Sequence, residues 1–266
     1  MPLRIIVCLK QVIDPEMPTS AFRVDTKTRR IEPPSSIPPV INDFDEVALE
    51  AALRIKDAQE AYVTALSVGR EFSLDVMRRA LALGADELVL LQDGRFEDTP
   101  DSYTTALVLA SAIRKIGAYD LVLCGRQASD WDNGQVPLGV AEFLGLPCVT
   151  LARKVEVRDH CAVVERFLID TYEVVETPLP AVVTVTSELG QVRYPVLREI
   201  MAARRRQPVI WTADEVGVEL GDVKPRVELL DLRVPEVERR CQMVEGDDEA
   251  EAGRKLALVL REAGLI

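Results

Sequence analysis

The chain has 266 residues, 48% of them hydrophobic and 29% charged, with 14 glycines. That is enough apolar material to bury the core of one or two globular domains, and too much for a disordered chain. A formal net charge of −12 argues against a general nucleic-acid binder, which needs a basic face to displace counterions from phosphates.

No apolar run approaches the ~20 residues that cross a bilayer, and the opening MPLRIIVCLKQ has neither a long apolar core nor a small-residue cleavage site after it. A soluble cytoplasmic protein with no membrane insertion is expected. Cys8, Cys124, Cys148, Cys161 and Cys241 are widely spaced, with no CxxC and no histidine cluster, which withdraws the usual support for a disulfide scaffold, a zinc site or an iron–sulfur site. The one histidine, His160, sits in Arg158-Asp159-His160 and reads as a hairpin-turn residue, which removes most triad and acid–base designs. No metal ligand and no catalytic acid, base or nucleophile is assigned.

In chain order, residues 3–9 (LRIIVCL) form a continuous, partly β-branched apolar run, the pattern of a strand covered on both faces. Similar runs recur at 62–68, 87–91, 119–124 and, more weakly, 148–151. Helical spacing falls between them. Phe44, Val47, Ala48, Ala51, Ala52 and Ile55 mark a first helix, with Asn42 or Asp43 placed to cap it. Ser73 opens a second that stops at Gly84, Pro100-Asp101-Ser102 a third that runs to Gly117, and Gln135 to Leu144 forms a fourth, closed by Gly145. The expected fold over residues 1–150 is an α/β doubly wound, mostly parallel sheet, a class that binds nucleotides at the carboxyl ends of its strands.

Two stretches depart from this rhythm. Residues 10–41 form a long, proline-rich connection, of a length often associated with function. After residue 152 alternating strands around the Arg158 to His160 turn, followed by Ala181 to Val185, suggest an antiparallel extension of the sheet. A short helix ending in Arg204-Arg205-Arg206 comes next, then a weakly periodic tail and a last helix from Glu249 to Ala263. The expected division is a nucleotide-binding unit over 1–206 and a partner-wrapping arm over 207–266.

The densest polar cluster beside an expected strand end is 125–135, GRQASDWDNGQ, which leads into the fourth helix. Unpaired amides at a helix start attract phosphate, and Gly134 allows close approach of the backbone. Neither GxGxxG nor GxxxxGK[ST] is present, so a capped loop remains the alternative. Asp130 and Asp132 suggest either a magnesium pair or amide and hydroxyl acceptors. Asn42-Asp43-Phe44-Asp45-Glu46 lies near the same strand ends, and its acidity is equally explained by the helix macrodipole.

Taken together, VCLKQVIDP, NDFDEVALEAALRIK, ALGADELVLL, DLVLCGRQASDWDNGQVPLGVAEFLGLP, LPAVVTV and RYPVLREIMAARRR occur in the family order of the electron transfer flavoprotein β subunits (ETF β/FixA), which the chain resembles along nearly its whole length. The resemblance implies an adenine-nucleotide-hydrolase-like sheet, a heterodimer with a larger α subunit, FAD held between the chains, and AMP, or a second FAD in electron-bifurcating relatives, within the β subunit. The matching nucleotide-site positions are Cys8, Asn42, Asp45, Val68, Gly125 and the loop Gln127 through Val136, including Asp130, Asp132, Asn133, Gly134 and Gln135. Amides of Asn133 to Val136 face the phosphate, and Phe44 matches an aromatic near the flavin of the α side.

The resemblance also implies electron transfer from an acyl-CoA or other flavin dehydrogenase to a quinone-linked oxidoreductase. The docking segment maps onto Gly190 to Arg206, with Arg193, Tyr194 and Leu197 as contacts and Leu197 as the apolar anchor. Several positions depart from the family. Val136 replaces a threonine common in AMP-type members, and bifurcating members share the Gln135-Val136 pair, but Trp131 and Asn133 replace the glycine and threonine that bifurcating members usually carry. The choice between AMP and a second FAD therefore stays open, with Trp131 favouring AMP. Pro15 replaces a tyrosine that lies near the flavin in some relatives. Ala202 and Arg205 replace lysines, so regulation by lysine methylation does not carry over. From a different class, the alternative is an adenine-nucleotide sensor or hydrolase without flavin.

Overall fold

Buried β-branched runs alternate with amphipathic helices, and the computed structural model shows what that alternation builds. It describes residues 2–96, 101–219, 221, 224–234 and 241–266. The strands are β1 (Leu3–Cys8), β2 (Gln11–Val12), β3 (Val24–Asp25), β4 (Arg30–Ile31), β5 (Val40–Ile41), β6 (Ala61–Gly69), β7 (Glu87–Gln92), β8 (Leu121–Gly125), β9 (Cys148–Arg158), β10 (Cys161–Phe167), β11 (Tyr172–Pro178), β12 (Ala181–Val185) and β13 (Val209–Trp211). The helices are α1 (Asp43–Ala58), α2 (Leu74–Met77), α3 (Arg79–Leu83), α4 (Ser102–Ile116), α5 (Val136–Leu144), α6 (Leu197–Arg205) and α7 (Glu249–Glu262).

Among the described residues nine strands form one sheet in the order β11-β10-β9-β12-β8-β1-β6-β7-β13. Every neighbouring pair from β9 to β13 is parallel, and only β9-β10 and β10-β11 are antiparallel. Parallel strands need helices on both faces. One apolar layer joins Ile5, Val7 and Leu9 to α1 and α3; the opposite layer joins Ile6 and Cys8 to α4 and α5. Alternate residues of β1 thus serve opposite layers, as the period of a strand requires. Gly139 lets α5 lie against α4, because a Cβ there would stand 2.7 Å from the Cβ of Ala106.

Several expectations change. The second helix is two short pieces, α2 and α3, which meet at Arg78. Neither Ser73 nor Asn42 caps its helix through the side chain; the Ser73 amide is held by Gln11 Oε1 at 2.7 Å. Pro100 lies outside the described residues, and Asp101 caps α4 by accepting from the Tyr103 amide. β12 is not part of the antiparallel extension. It lies parallel between β8 and β9, and all five of its residues are buried, as a continuous apolar run implies. β9 is longer than its apolar start suggests: it pairs parallel with β12, then antiparallel with β10. Leu151, with φ 61°, lies where the β9–β12 register shifts. Asp159 and His160 form the tight β9–β10 turn with φ of 48° and 62°.

The 10–41 connection carries two short antiparallel ladders, β2-β5 and β3-β4. Past residue 206 the chain returns to the sheet as β13 beside β7, and the chain divides into one unit over Met1–Leu232 and another over Arg233–Ile266. In the second unit, Asp248 accepts from the Glu251 amide while Glu251 accepts from the Asp247 amide, a reciprocal cap for α7. Among the described residues no helix is long and apolar enough to cross a membrane.

Candidate functional site

The chain leaves β1 toward β6 and β7 on one side and comes back to β8 on the other, so the strand order reverses between β1 and β8. In open α/β sheets such a reversal opens a crevice at the carboxyl ends of the two strands. Asp45, in the first turn of α1, closes the base of this crevice. Its Oδ2 accepts the Lys10 amide at 2.8 Å and its Oδ1 the Gly125 amide at 3.1 Å, which ties the ends of β1 and β8 together. Burial pushes the Asp45 carboxyl up to about 7, against the opposing hydrogen bonds from Asn42, Lys10 and Gly125 and the Lys10 charge.

Asn42 is fully buried and uses its amide to tie the neighbouring loop to the start of α1. Nδ2 donates to the Gln127 carbonyl at 2.9 Å, and Oδ1 accepts the Ser129 amide at 3.1 Å. Gly125 has to be glycine: a Cβ would stand 2.4 Å from Asp45 Oδ1 and 2.7 Å from the Phe44 carbonyl carbon. The loop then passes through positive φ at Asp132 (52°) and Gly134 (62°). Arg126 Nε donates to Gln127 Oε1 at 3.0 Å, and Gln127 Nε2 donates to Asp132 Oδ1 at 2.7 Å. Lys10 Nζ pairs with Asp130 at 2.6 Å, and Asn133 Nδ2 donates to Ser102 Oγ at 3.3 Å.

Both aspartates of the conceivable magnesium pair therefore have partners inside the chain. α5 opens at Val136 with Pro137 in its first turn and no side-chain cap on it. Its opening amides, beside a positive-φ glycine, give the crevice an anion-accepting wall. Cys8 ends β1 in register with Cys124 on β8, and the hydrogen bond that the Cys124 thiol makes to Cys8, together with burial, raises that thiol. Val68 is half-buried near the end of β6. The Arg126 guanidinium lies 5.2 Å over the Phe44 ring. Strand ends and helix starts thus bring Cys8, Asn42, Phe44, Asp45, Val68, Gly125 and the 127–136 loop to one end of the sheet. Sequence reasoning misses Lys10; its signal is a lone cation directly after an apolar strand.

The candidate docking segment lies apart from the crevice loop. Tyr194, Val196 and Leu197 are 87%, 60% and 74% exposed at the start of α6. Arg193 does not point outward with them: its guanidinium is drawn onto carboxylates of α1. Of the basic run, Arg206 donates to the Ala85 and Asp86 carbonyls, while Arg204 and Arg205 are exposed. A groove of about 700 Å³ between α1 and the β9–β10 hairpin is lined by none of the crevice residues.

Residues 35–216, which include both the crevice loop and the docking segment, match the family described as electron transfer flavoprotein domain. The chain is similar to the electron transfer flavoprotein subunit beta of Thermoanaerobacterium thermosaccharolyticum, 39% identical over 249 residues that make up 92% of this chain and 93% of the relative. It is similar to CarD of the caffeyl-CoA reductase-Etf complex of Acetobacterium woodii, 38% identical over 81% of this chain and 80% of that one. Protein FixA of Azorhizobium caulinodans is 37% identical over 82% and 78%. Matched by the family model over residues 35–216 and by relatives along most of its length, the chain belongs to the electron transfer flavoprotein β-subunit/FixA family.

Proposed function

We propose that the chain is the β subunit of a cytoplasmic heterodimer that takes electrons from flavin dehydrogenases, such as an acyl-CoA dehydrogenase, and delivers them to a quinone-linked oxidoreductase or another acceptor. The observation that carries this reading is the crevice itself: glycine where no Cβ fits, an uncapped helix start, and a carboxylate binding two strand ends together. These residues fit a nucleotide, with the phosphate received by the amides of Asn133 to Val136 and the walls formed by Cys8, Asn42, Val68 and Gln127. FAD, held mostly by the α subunit, supplies the redox chemistry when bound. Phe44, backed by Arg126, would lie on the side of that flavin, and no residue of this chain is assigned a proton transfer. Unit Arg233–Ile266, with Leu256, Leu258, Leu265 and Ile266 exposed, is the segment we assign to packing on the α subunit.

The nucleotide we favour is AMP, on account of Trp131. A second reading, an electron-bifurcating subunit with a second FAD and NADH as donor, is favoured by the Gln135-Val136 pair at the start of α5, which the resemblance assigns to bifurcating members. Co-purification with the α subunit, acid release and quantitation of ligands separate these readings. One FAD and one AMP per heterodimer is expected; two FAD means bifurcation, and a heterodimer without flavin removes both in favour of a nucleotide-binding sensor or hydrolase.

A further inference from the structure

Glu50 is a charged residue in the apolar stretch VALEAALRI of α1, and its side chain is only 6% exposed. A buried carboxylate is costly unless it is fully paired. Here it is surrounded by donors. Glu50 Oε2 accepts Arg193 Nε at 2.8 Å and the Arg193 backbone amide at 3.2 Å, and Oε1 accepts Arg54 Nε at 2.9 Å and Arg193 Nη2 at 3.3 Å. Burial pushes this carboxyl up, and the two arginines outweigh it, leaving the group below its ordinary value.

Arg54 also grips the chain beyond β12, and Arg193, which belongs to that chain, grips α1 a second time. Arg54 donates Nη1 to the Leu189 carbonyl at 2.9 Å and Nη2 to the Gln191 carbonyl at 3.0 Å, while Arg193 takes Asp57 as a second carboxylate at 2.7 Å. The backbone is thus held at residues 189, 191 and 193 by a network centred on one carboxylate. Directly after this anchored stretch come Tyr194, Val196 and Leu197, the exposed side chains of the docking segment.

We propose that Glu50 is a positioning residue for electron-donor docking: through Arg193 and Arg54 it fixes the base of the 190–197 segment on α1, so that the exposed apolar side chains are presented in one arrangement before the donor arrives. The inference rests on the reading of 190–206 as the docking segment. Loss of the network leaves a segment that has to be ordered during encounter, a cost that falls on binding and not on the electron-transfer step. Asp45 and its strand ties lie outside the network, so nucleotide retention is independent of it.

The test uses the heterodimer carrying Glu50→Gln, which preserves shape and removes charge, with a purified acyl-CoA dehydrogenase and its acyl-CoA as the electron source. Expected are a KM for the heterodimer raised ~10-fold with kcat unchanged, faster amide exchange confined to 189–196, and unchanged FAD and nucleotide content. Leu197→Ala in the same assay separates the two layers of the argument. If Leu197→Ala raises KM and Glu50→Gln does not, the role of Glu50 is overturned and the docking segment stands. If neither variant changes KM, the docking segment itself is misassigned. Unchanged exchange over 189–196 in Glu50→Gln overturns the inference whatever the kinetics show. Should that variant not fold, Arg54→Gln removes the ties to Leu189 and Gln191 from a half-exposed side chain, and the same readouts decide.

Discussion

The crevice and the docking segment are both attached to α1, and they are held by opposite means. At the amino end of the helix, Asn42 and Asp45 are buried and bonded mainly to backbone groups of other elements, and burial raises the Asp45 carboxyl to about 7. One turn and more further on, Glu50, Arg54 and Asp57 hold 189–193 through charges, and the side chains of Tyr194, Val196 and Leu197 just beyond are exposed and largely apolar. A site for a small ligand has to be complete before the ligand arrives, since its backbone cannot be rebuilt for each encounter. A docking surface needs only a fixed base, and keeps its contact side chains free of intramolecular duties.

The strongest way to break this contrast is Gly125→Ala. The added methyl would overlap the Asp45 carboxylate and the Phe44 backbone, so a loss of roughly 3 kcal/mol or more is expected, together with loss of nucleotide on purification. Urea denaturation and acid-released nucleotide check it, and a variant of ordinary stability that keeps its nucleotide would show the crevice to be adaptable.

Asp45→Asn tests the same end through pH. Because the folded carboxyl is raised to about 7 from an ordinary 3.8, its contribution to stability is fully present below the lower value and is lost as pH rises through the upper one, on the order of a few kcal/mol. Denaturation midpoints at pH 5 and pH 8 are expected to differ less in the asparagine variant by that amount. Parallel curves for the two proteins would mean that Asp45 titrates in the ordinary range.

The smallest expected effect on stability sharpens the contrast from the other side. Leu197→Ala removes an exposed side chain, and its change in stability is expected within about 0.5 kcal/mol. Electron uptake from the dehydrogenase nevertheless slows, with flavin content constant. A large loss of stability would make Leu197 a packing residue and not a contact.

The parallel part of the sheet is legible because strands covered on both faces are written as unbroken apolar runs, as in LRIIVC and LVLCG. The crevice loop is legible as well, for its polar residues come after such a run and precede a helix. β11 is not: YEVVETP lies at an edge with most of its residues exposed, so burial imprints almost no pattern on it. Arg193 reads as a docking residue in the sequence because it adjoins Tyr194; its carboxylate partners lie 143 and 136 positions away on α1, a separation that carries no local signal. The break at Arg78 has no signature in a segment whose apolar spacing fits one helix.

The edge strand that leaves so faint a pattern has a consequence for the life of the chain before it meets a partner. A sheet ending in a long, flat, apolar strand would invite pairing with a second copy. β11 instead carries Glu173, Glu176 and a terminal Pro178, with Glu173 paired to Arg166 and the Arg153 guanidinium lying over the Tyr172 ring. At the other edge β13 offers only three residues. Both margins are poor templates for strand addition, which guards the sheet against pairing edge to edge with a second copy of the chain.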